Sequence, residues 1–467
     1  MERESHSEHS GEHVSQVTEY SPSLPLMIRL GWGLGGVGTT IFLFSKSLIL
    51  RFMTDHLGVA AATAAFLFAI SKVYDAVTDP VMGAISDQTR SRWGRRRPYL
   101  LAGSILCAVT FILLFTVPAF DSTAVVVVYM GALLILFATA YTLFNVAHLA
   151  MPVEMTSSHQ ERSQLFSYRA GAIGLGTILG GFLGPIIIDA YGGGREGHEV
   201  MSWFLGSLIL ITMLSCFWLT RFAPFRHQQT SVKHSFSEKL KSATANRPYL
   251  YLLSAKMFVL MTSAMNSGTV AFFTSRVLQL SDRWLGLYFL CYGAAVLISQ
   301  PLWLKVIGMI GKRKTFIITA LIYAPVSASW MLADSSEHLV FFIFRVVMIG
   351  AMTGAILLAS QSMLPDVIEY DHRRTGLTRE GVFAGVYTTV EKFASAVGIA
   401  LTGAVLGAMG YIASTSGQQV VQPPSAITGI YLCFSLIPAG LIAFSCVFIA
   451  MYDLTEEKLD ATPSLTS

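Results

Sequence analysis

The stretch Asp75–Tyr99, DAVTDPVMGAISDQTRSRWGRRRPY, decides how this chain is read. Its first half lies inside an apolar run long enough to cross a bilayer, yet it carries Asp75 and Asp79. Its second half carries Arg90, Arg92, Arg95, Arg96 and Arg97. A charged side chain at the centre of a membrane helix costs about 2.5–3.5 kcal/mol on insertion scales, so such residues are functional or paired. Asp75 and Asp79 are i and i+4 and share a helix face, and Lys72 lies three residues before Asp75 on a similar face. Pro80, directly after Asp79, removes a backbone donor and leaves a carbonyl one turn back without its usual partner. Carboxylates, hydroxyls and a freed carbonyl are hard oxygen ligands. They suit Na⁺ or a transferable proton and not a softer metal, which would need thiolate or imidazole nearby. Asp75 and Asp79 are thus the metal candidates if the ion is Na⁺. The bland reading is a structural salt-bridge cluster, Asp75 with Lys72 and Asp79 with some other basic residue.

The composition around this stretch sets the class. Of 467 residues, 53% are hydrophobic and 13% charged, and the mean hydropathy is +0.58. That is more apolar surface than a soluble core hides, so the chain is a polytopic membrane protein with the lipid bilayer as its first partner. A hydrocarbon core of about 30 Å needs about 20 helical residues. Twelve runs meet that length, at 27–53, 59–86, 99–119, 123–151, 162–190, 200–221, 247–275, 284–308, 315–333, 337–364, 380–410 and 426–452. Lys and Arg concentrate in alternate loops: the run after span 2, the central loop (Arg226, Lys233, Lys239, Lys241 and Arg247), Lys312–Lys314, and Arg373, Arg374 and Arg379. By the positive-inside rule both termini are cytoplasmic, and the expected location is the cell membrane.

The organisation follows: a disordered tail over 1–26, a six-helix bundle over 27–222, a cytoplasmic loop over 223–246, a second six-helix bundle over 247–452, and a polar tail over 453–467. Loop 2–3 and the loop after span 8 share a Gly followed by a basic run, six spans apart. Such a repeat is the plan of a two-bundle secondary transporter with its solute site between the halves near the midplane. The formal net charge of +4 reflects loop bias, so no nucleic-acid partner is expected, and the five cysteines are scattered singly in apolar runs. No Ser/His, HExxH or paired-His motif marks an enzyme, and no cofactor is expected beyond a coupling ion. A sensor on a transporter fold would need an extra cytoplasmic domain, which the pattern lacks.

The same stretch resembles the span 2 and loop 2–3 signature of the glycoside-pentoside-hexuronide:cation symporters, a branch of the major facilitator superfamily that includes the melibiose permeases. YTLFNVAHLAMP resembles the family's span 4, FSYRAG its span 5, and MLPDVIEYDHRRTGLTREGVFAGVYTTVEKFASAVG its loop 10–11 and span 11. The resemblance implies the major facilitator fold and a cation site at Asp75, Thr78, Asp79 and Thr142. It matches the family's span 5 arginine to Arg169 and its span 11 lysine to Lys392. Thr39, Asn145 and Leu149 stand where melibiose permeases hold sugar with two acids and a Trp, so galactoside specificity does not carry over. With His148, these six positions make the substrate candidates: Thr39, Asn145, His148, Leu149, Arg169 and Lys392. Lys72, Asp87, Arg95, Arg96 and Glu391 are the candidates for coupling and gating, the loop residues as a latch between helices. The expected function is Na⁺- or H⁺-coupled symport of a sugar or glycoside by a monomer through alternating access. The alternative is an amphiphilic, lysolipid-like solute, suggested by the missing acids and by Leu149.

Overall fold

The computed structural model describes residues 24–44, 46–156, 159–223, 246–375, 380–414, 420–454 and 458. Most of the expected N-terminal tail, of the central loop with Arg226, Lys233, Lys239 and Lys241, and of the C-terminal tail lies outside them, as does Arg379, while Arg247 opens a helix. Among the described residues eleven helices are long and apolar enough to cross a membrane. They are span 1 (Leu26–Asp55), span 2 (Ala61–Gln88), span 3 (Arg97–Phe115), span 4 (Thr123–Pro152), span 5 (Gln164–Ala190), span 6 (Arg195–Thr220), span 7 (Arg247–Val277), span 9 (Lys312–Leu332), span 10 (Leu339–Thr375), span 11 (Gly385–Ala408) and span 12 (Pro424–Met451). Asp282–Ile298 and Gln300–Ile310, bent by 43° at their junction, form span 8.

The departures from the sequence reading have local causes. Pro301 sits in the first turn of the second half of span 8, where a missing N–H restarts a helix at low cost. Spans 5 and 12 each contain a five-residue π turn, Leu179–Leu183 and Leu432–Leu436, followed within two residues by Pro185 and Pro438. Each proline lacks the donor for the preceding turn, and the wider turn absorbs the mismatch. Span 10 continues past the expected end at 364, through Pro365 to Thr375, and at 37 residues is about 55 Å long. It therefore projects well beyond the hydrocarbon at the face where the described chain begins and ends, here called the terminal face.

The two bundles meet chiefly in the half away from that face. Span 2 lies against span 11 so closely that a Cβ at Gly403 would stand 2.1 Å from the Ala65 Cβ, and one at Gly407 2.9 Å from the Ala62 Cβ. Span 8 meets span 5 in the same manner, with Gly286 against the Phe182 carbonyl. Small residues of this kind let helix backbones approach in lipid.

At the distal face the contact is ionic. Arg51 of span 1 pairs with Asp282 of span 8 at 2.5 Å, and Arg276 at the end of span 7 pairs with Asp55 at 2.8 Å. The Tyr411 hydroxyl, beyond span 11, donates to Asp55 at 2.7 Å, and two backbone bonds join Thr54 and Gly58 to Ser414. At the terminal face, by contrast, Arg96–Asp87, Arg95–Glu154 and Arg96–Glu154 stay within the first bundle and Lys312–Asp366 within the second. The structure is thus closed distally.

Candidate functional site

Span 2 turns Asp75 and Asp79 toward the second bundle, and each already has a lysine. Lys72 Nζ lies 2.5 Å from Asp75 Oδ2 one turn away on the same helix. Lys392 of span 11 pairs with Asp79 Oδ2 across the bundle interface and also donates to the Asp75 carbonyl at 3.1 Å. Thr142 of span 4 donates to Asp79 Oδ1 at 2.8 Å. The Asp75 Oδ1 atom is buried with no hydrogen-bond partner, an accepting oxygen without a protein donor. Thr78 turns its hydroxyl onto its own helix, to the Tyr74 carbonyl at 3.0 Å, so its contribution to an ion shell would require a rotation. Two lysines pair with the two carboxylates, as the salt-bridge reading of Lys72 with Asp75 expects, and Asp75 Oδ1 is left without a hydrogen-bond partner. Asp75, Asp79 and Thr142 fit a small hard cation by donor type, since all are oxygens.

One turn along span 11 from Lys392, toward the distal face, Ser395 borders a cavity of about 260 Å³. It is built mainly by the second bundle, with Asn266 of span 7, Tyr288 and Tyr292 of span 8, Tyr323 of span 9 and Thr353 of span 10 around it, and Leu43 and Phe44 of span 1 at its edge. Among the described residues no charged side chain lines it. Asn266 donates to the Tyr323 hydroxyl at 2.7 Å, while its own Oδ1 is buried without a partner. The Tyr288 and Tyr292 rings lie parallel, 6.1 Å apart. The volume falls just below the ~300–1,000 Å³ of drug-sized ligand sites, which suits a single ring with hydroxyls. None of these cavity residues stands out in the sequence, because Tyr, Ser, Thr and single Asn residues are ordinary inside membrane helices.

The other candidates divide. Arg169 lies against span 1, its Cγ 3.2 Å from where a Cβ on Gly36 would be, and its Nε is buried without a hydrogen-bond partner. Asn145 likewise keeps a buried, unpartnered Oδ1. Leu149 is 38% exposed. Thr39 and His148, like Asn145, Leu149, Arg169 and Lys392, do not line that cavity. The Thr39 hydroxyl bonds the Gly35 and Gly36 carbonyls of its own helix. His148 is fully buried, stacked 4.7 Å from Trp32 and bonded through Nε2 to the Trp32 carbonyl at 2.8 Å, so it fastens span 4 to span 1.

The gating candidates pair within single bundles. Asp87 and Arg96 pair within one bundle at 2.6 Å, and the acid that gathers Arg95 and Arg96 is Glu154, which the sequence reading missed because it reads as an ordinary span-end charge. Glu391 faces Lys256 at 3.7 Å, with the Lys256 ammonium also over the Tyr387 ring. Glu391 therefore braces span 11 against span 7 inside the second bundle. The cross-bundle pairs at the distal face, Arg51–Asp282 and Arg276–Asp55, were legible only as loop-end charges.

Two bundles of six spans, with an Asp–Lys pair across their interface, form the frame in which known transporters place their sites, and comparison agrees. A family model described as "MFS/sugar transport protein" matches residues 27–456. The chain belongs to this family. Membership makes it a membrane transporter of the major facilitator superfamily and not an enzyme. Among curated relatives, the glucuronide carrier protein homolog of Escherichia coli (strain K12) is 27% identical, the match covering 92% of this chain and 93% of that protein. The isoprimeverose transporter of Lactiplantibacillus pentosus is 27% identical over 90% of this chain and 87% of its own length. In fold, the chain is similar to a bacterial homolog of the human lysosomal transporter Spinster in an inward-facing, unoccupied conformation. That match has a TM-score of 0.67 at 12% identity, covering 92% of this chain and 98% of the other.

Proposed function

We propose that this transporter is a cation-coupled symporter of a small hydroxylated solute, a sugar or glycoside, working by alternating access. The observation that carries the reading is the Asp79–Lys392 pair, which joins the bundles at mid-depth beside the free Asp75 Oδ1. A cation arriving at Asp75 and Asp79 competes with the Lys392 ammonium for Asp79 oxygen. Its binding loosens the interfacial pair, and the bundles then respond to its presence. Lys392 sits one helical turn from Ser395 on the cavity wall, so a displaced ammonium can meet solute there. Ion and solute thereby share one residue, and by linkage each tightens the other by the same factor. The coupling ion is Na⁺ or H⁺, and the all-oxygen donor set supports Na⁺. A sugar or glycoside is supported by the hydroxyl-rich lining of the cavity and by the names of the relatives. The cavity volume suits one ring better than an acyl chain.

The test is a thermal-stability screen of the purified full chain against sugars, glycosides and lysolipids, each with and without Na⁺ and at two pH values. A shift with a sugar or glycoside that grows with Na⁺, or with acidification, is expected. Stabilisation by lysolipids alone would contradict the solute class.

A further inference from the structure

The arginines at the terminal face of the first bundle divide into two sets. Arg95 and Arg96 are paired with Glu154 and Asp87. Arg92 and Arg97 of the same run, and Arg221 just past span 6, have no carboxylate within ion-pair distance among the described residues. Glu154 is already held by two guanidiniums. Arg97 is buried, and its Nε has no hydrogen-bond partner. Topology asks only for basic residues in a loop, and it does not account for these placements.

The three arginines belong to one patch. Arg97 donates to the Trp93 carbonyl at 2.9 Å and to the Ala223 carbonyl at 2.7 Å, tying the loop after span 2 to the end of span 6. Across the same junction the Trp93 ring meets Phe217 edge-on, with centroids 5.6 Å apart. Arg92 lies over the Trp93 ring at 4.9 Å, and Arg221 over Trp218 and Phe222 at 4.1 and 4.4 Å. A guanidinium that stacks by its face keeps its in-plane N–H donors. Among the described residues neither Arg92 nor Arg221 donates a hydrogen bond, so both forks remain open to an anion.

From this patch toward the distal face, the outer surface is apolar. Span 3 exposes Ile105, Val109 and Leu113, four residues apart, and span 6 exposes Phe204, Ile211 and Trp218. The two helices pack closely, since a Cβ at Gly206 would stand 2.6 Å from Ile112 Cγ1. Two apolar stripes therefore end, at the edge of the membrane, in exposed aromatic rings and unpaired guanidiniums. That sequence of surfaces matches the acyl chains, interface and phosphate of a phospholipid.

We infer that this patch is a binding site for an anionic phospholipid. The lipid phosphate accepts hydrogen bonds from Arg92 and Arg221, Arg97 adds positive charge from behind them, and the acyl chains lie along spans 3 and 6. A zwitterionic headgroup brings its own cation and gains less. The inference is independent of the solute and of the coupling ion.

The experiment titrates the delipidated, purified full chain with dioleoylphosphatidylglycerol and, separately, with dioleoylphosphatidylcholine, and reads the dissociation constant of the first bound lipid by native mass spectrometry. Each arginine near an anionic headgroup contributes about fivefold, so the parent should bind the anionic lipid roughly 10- to 50-fold more tightly. Arg92→Gln/Arg221→Gln should bring the two lipids within about threefold of each other. The control Lys314→Gln/Arg374→Gln removes the same charge from exposed positions at the terminal face of the second bundle and should keep the parent's preference. Glycerol 1-phosphate, which carries the headgroup charge without chains, should not displace the lipid at about a hundredfold excess. Equal affinity of the parent for both lipids, a preference that survives in Arg92→Gln/Arg221→Gln, or one lost equally in the control overturns the inference. Displacement by glycerol 1-phosphate overturns it too, because it would make the site one for a free phosphate.

Discussion

Removing the Asp55 carboxylate should open the distal face. Asp55 holds Arg276 at 2.8 Å and the Tyr411 hydroxyl at 2.7 Å, both from the second bundle, and the side chains of the ion pair are only 8% and 12% exposed. In the closed state Asp55→Ala leaves a buried guanidinium with no counter-charge, whereas in an open state the same group is hydrated. Breaking a buried pair by deleting one partner costs about 3–5 kcal/mol. A closed state favoured 99 to 1 is held by about 2.7 kcal/mol, so that loss carries it to parity or beyond. Arg51–Asp282 remains and opposes the shift, and the double variant Asp55→Ala/Asp282→Ala should move further. The assay is pulsed electron paramagnetic resonance on protein labelled at Asp121→Cys and Ser335→Cys, exposed positions on distal loops of opposite bundles, after replacing Cys291 and Cys446. A longer-distance population should appear in the single variant and dominate in the double. Distance distributions identical to the parent's in both variants would refute the assignment of these pairs as the closure.

Other outcomes follow from the same geometry. Asn266→Ala and Tyr292→Phe each remove a hydrogen-bonding group from the cavity wall and should weaken solute binding about 5- to 20-fold, read as a dissociation constant of the folded variant. Gly403→Ala puts a methyl group where Ala65 already stands, so spans 2 and 11 must separate. A loss of about 1–3 kcal/mol is expected as a lower melting temperature together with lost transport. Burial, and then the adjacent Arg51, push His56 down to about 4 from its ordinary value of 6.5. The unfolded chain binds this proton more readily between those values, so the melting temperature should fall as pH drops from 6.5 toward 4, and His56→Gln should flatten that slope.

Charge made one part of this site legible in sequence. Acids in hydrocarbon are rare enough that Asp75 and Asp79, spaced for one face, announce themselves, and Lys72 and Lys392 are their natural partners. The twelve spans were legible for the same reason, since length and hydropathy are dictated by the bilayer. What stayed hidden depends on which face of a helix meets which neighbour. His148 and Thr39 carry polar atoms that look available for solute but are spent on fastening helices and on their own backbone. The Asn266 and tyrosine cavity carries no charge and so no signal. Arg51, Asp55, Arg276 and Asp282 sit at span ends, where charge is expected for topology alone, and only the tertiary arrangement shows that they pair across the bundles. The bend at Ser299 and the π turns near Pro185 and Pro438 follow from single prolines whose effect on a long apolar run is local.

The measurement that bears most directly on the Asp79–Lys392 junction is solute-induced ion entry into vesicles containing the purified protein, read with an entrapped Na⁺- or pH-sensitive dye while glycosides and sugar acids are added outside. A solute that drives ion entry through the parent protein should drive none through Asp79→Asn, which keeps the shape of the side chain and loses its charge, while still stabilising the variant against heat. Ion entry through Asp79→Asn at the parent rate would contradict the proposal that this pair couples cation to solute.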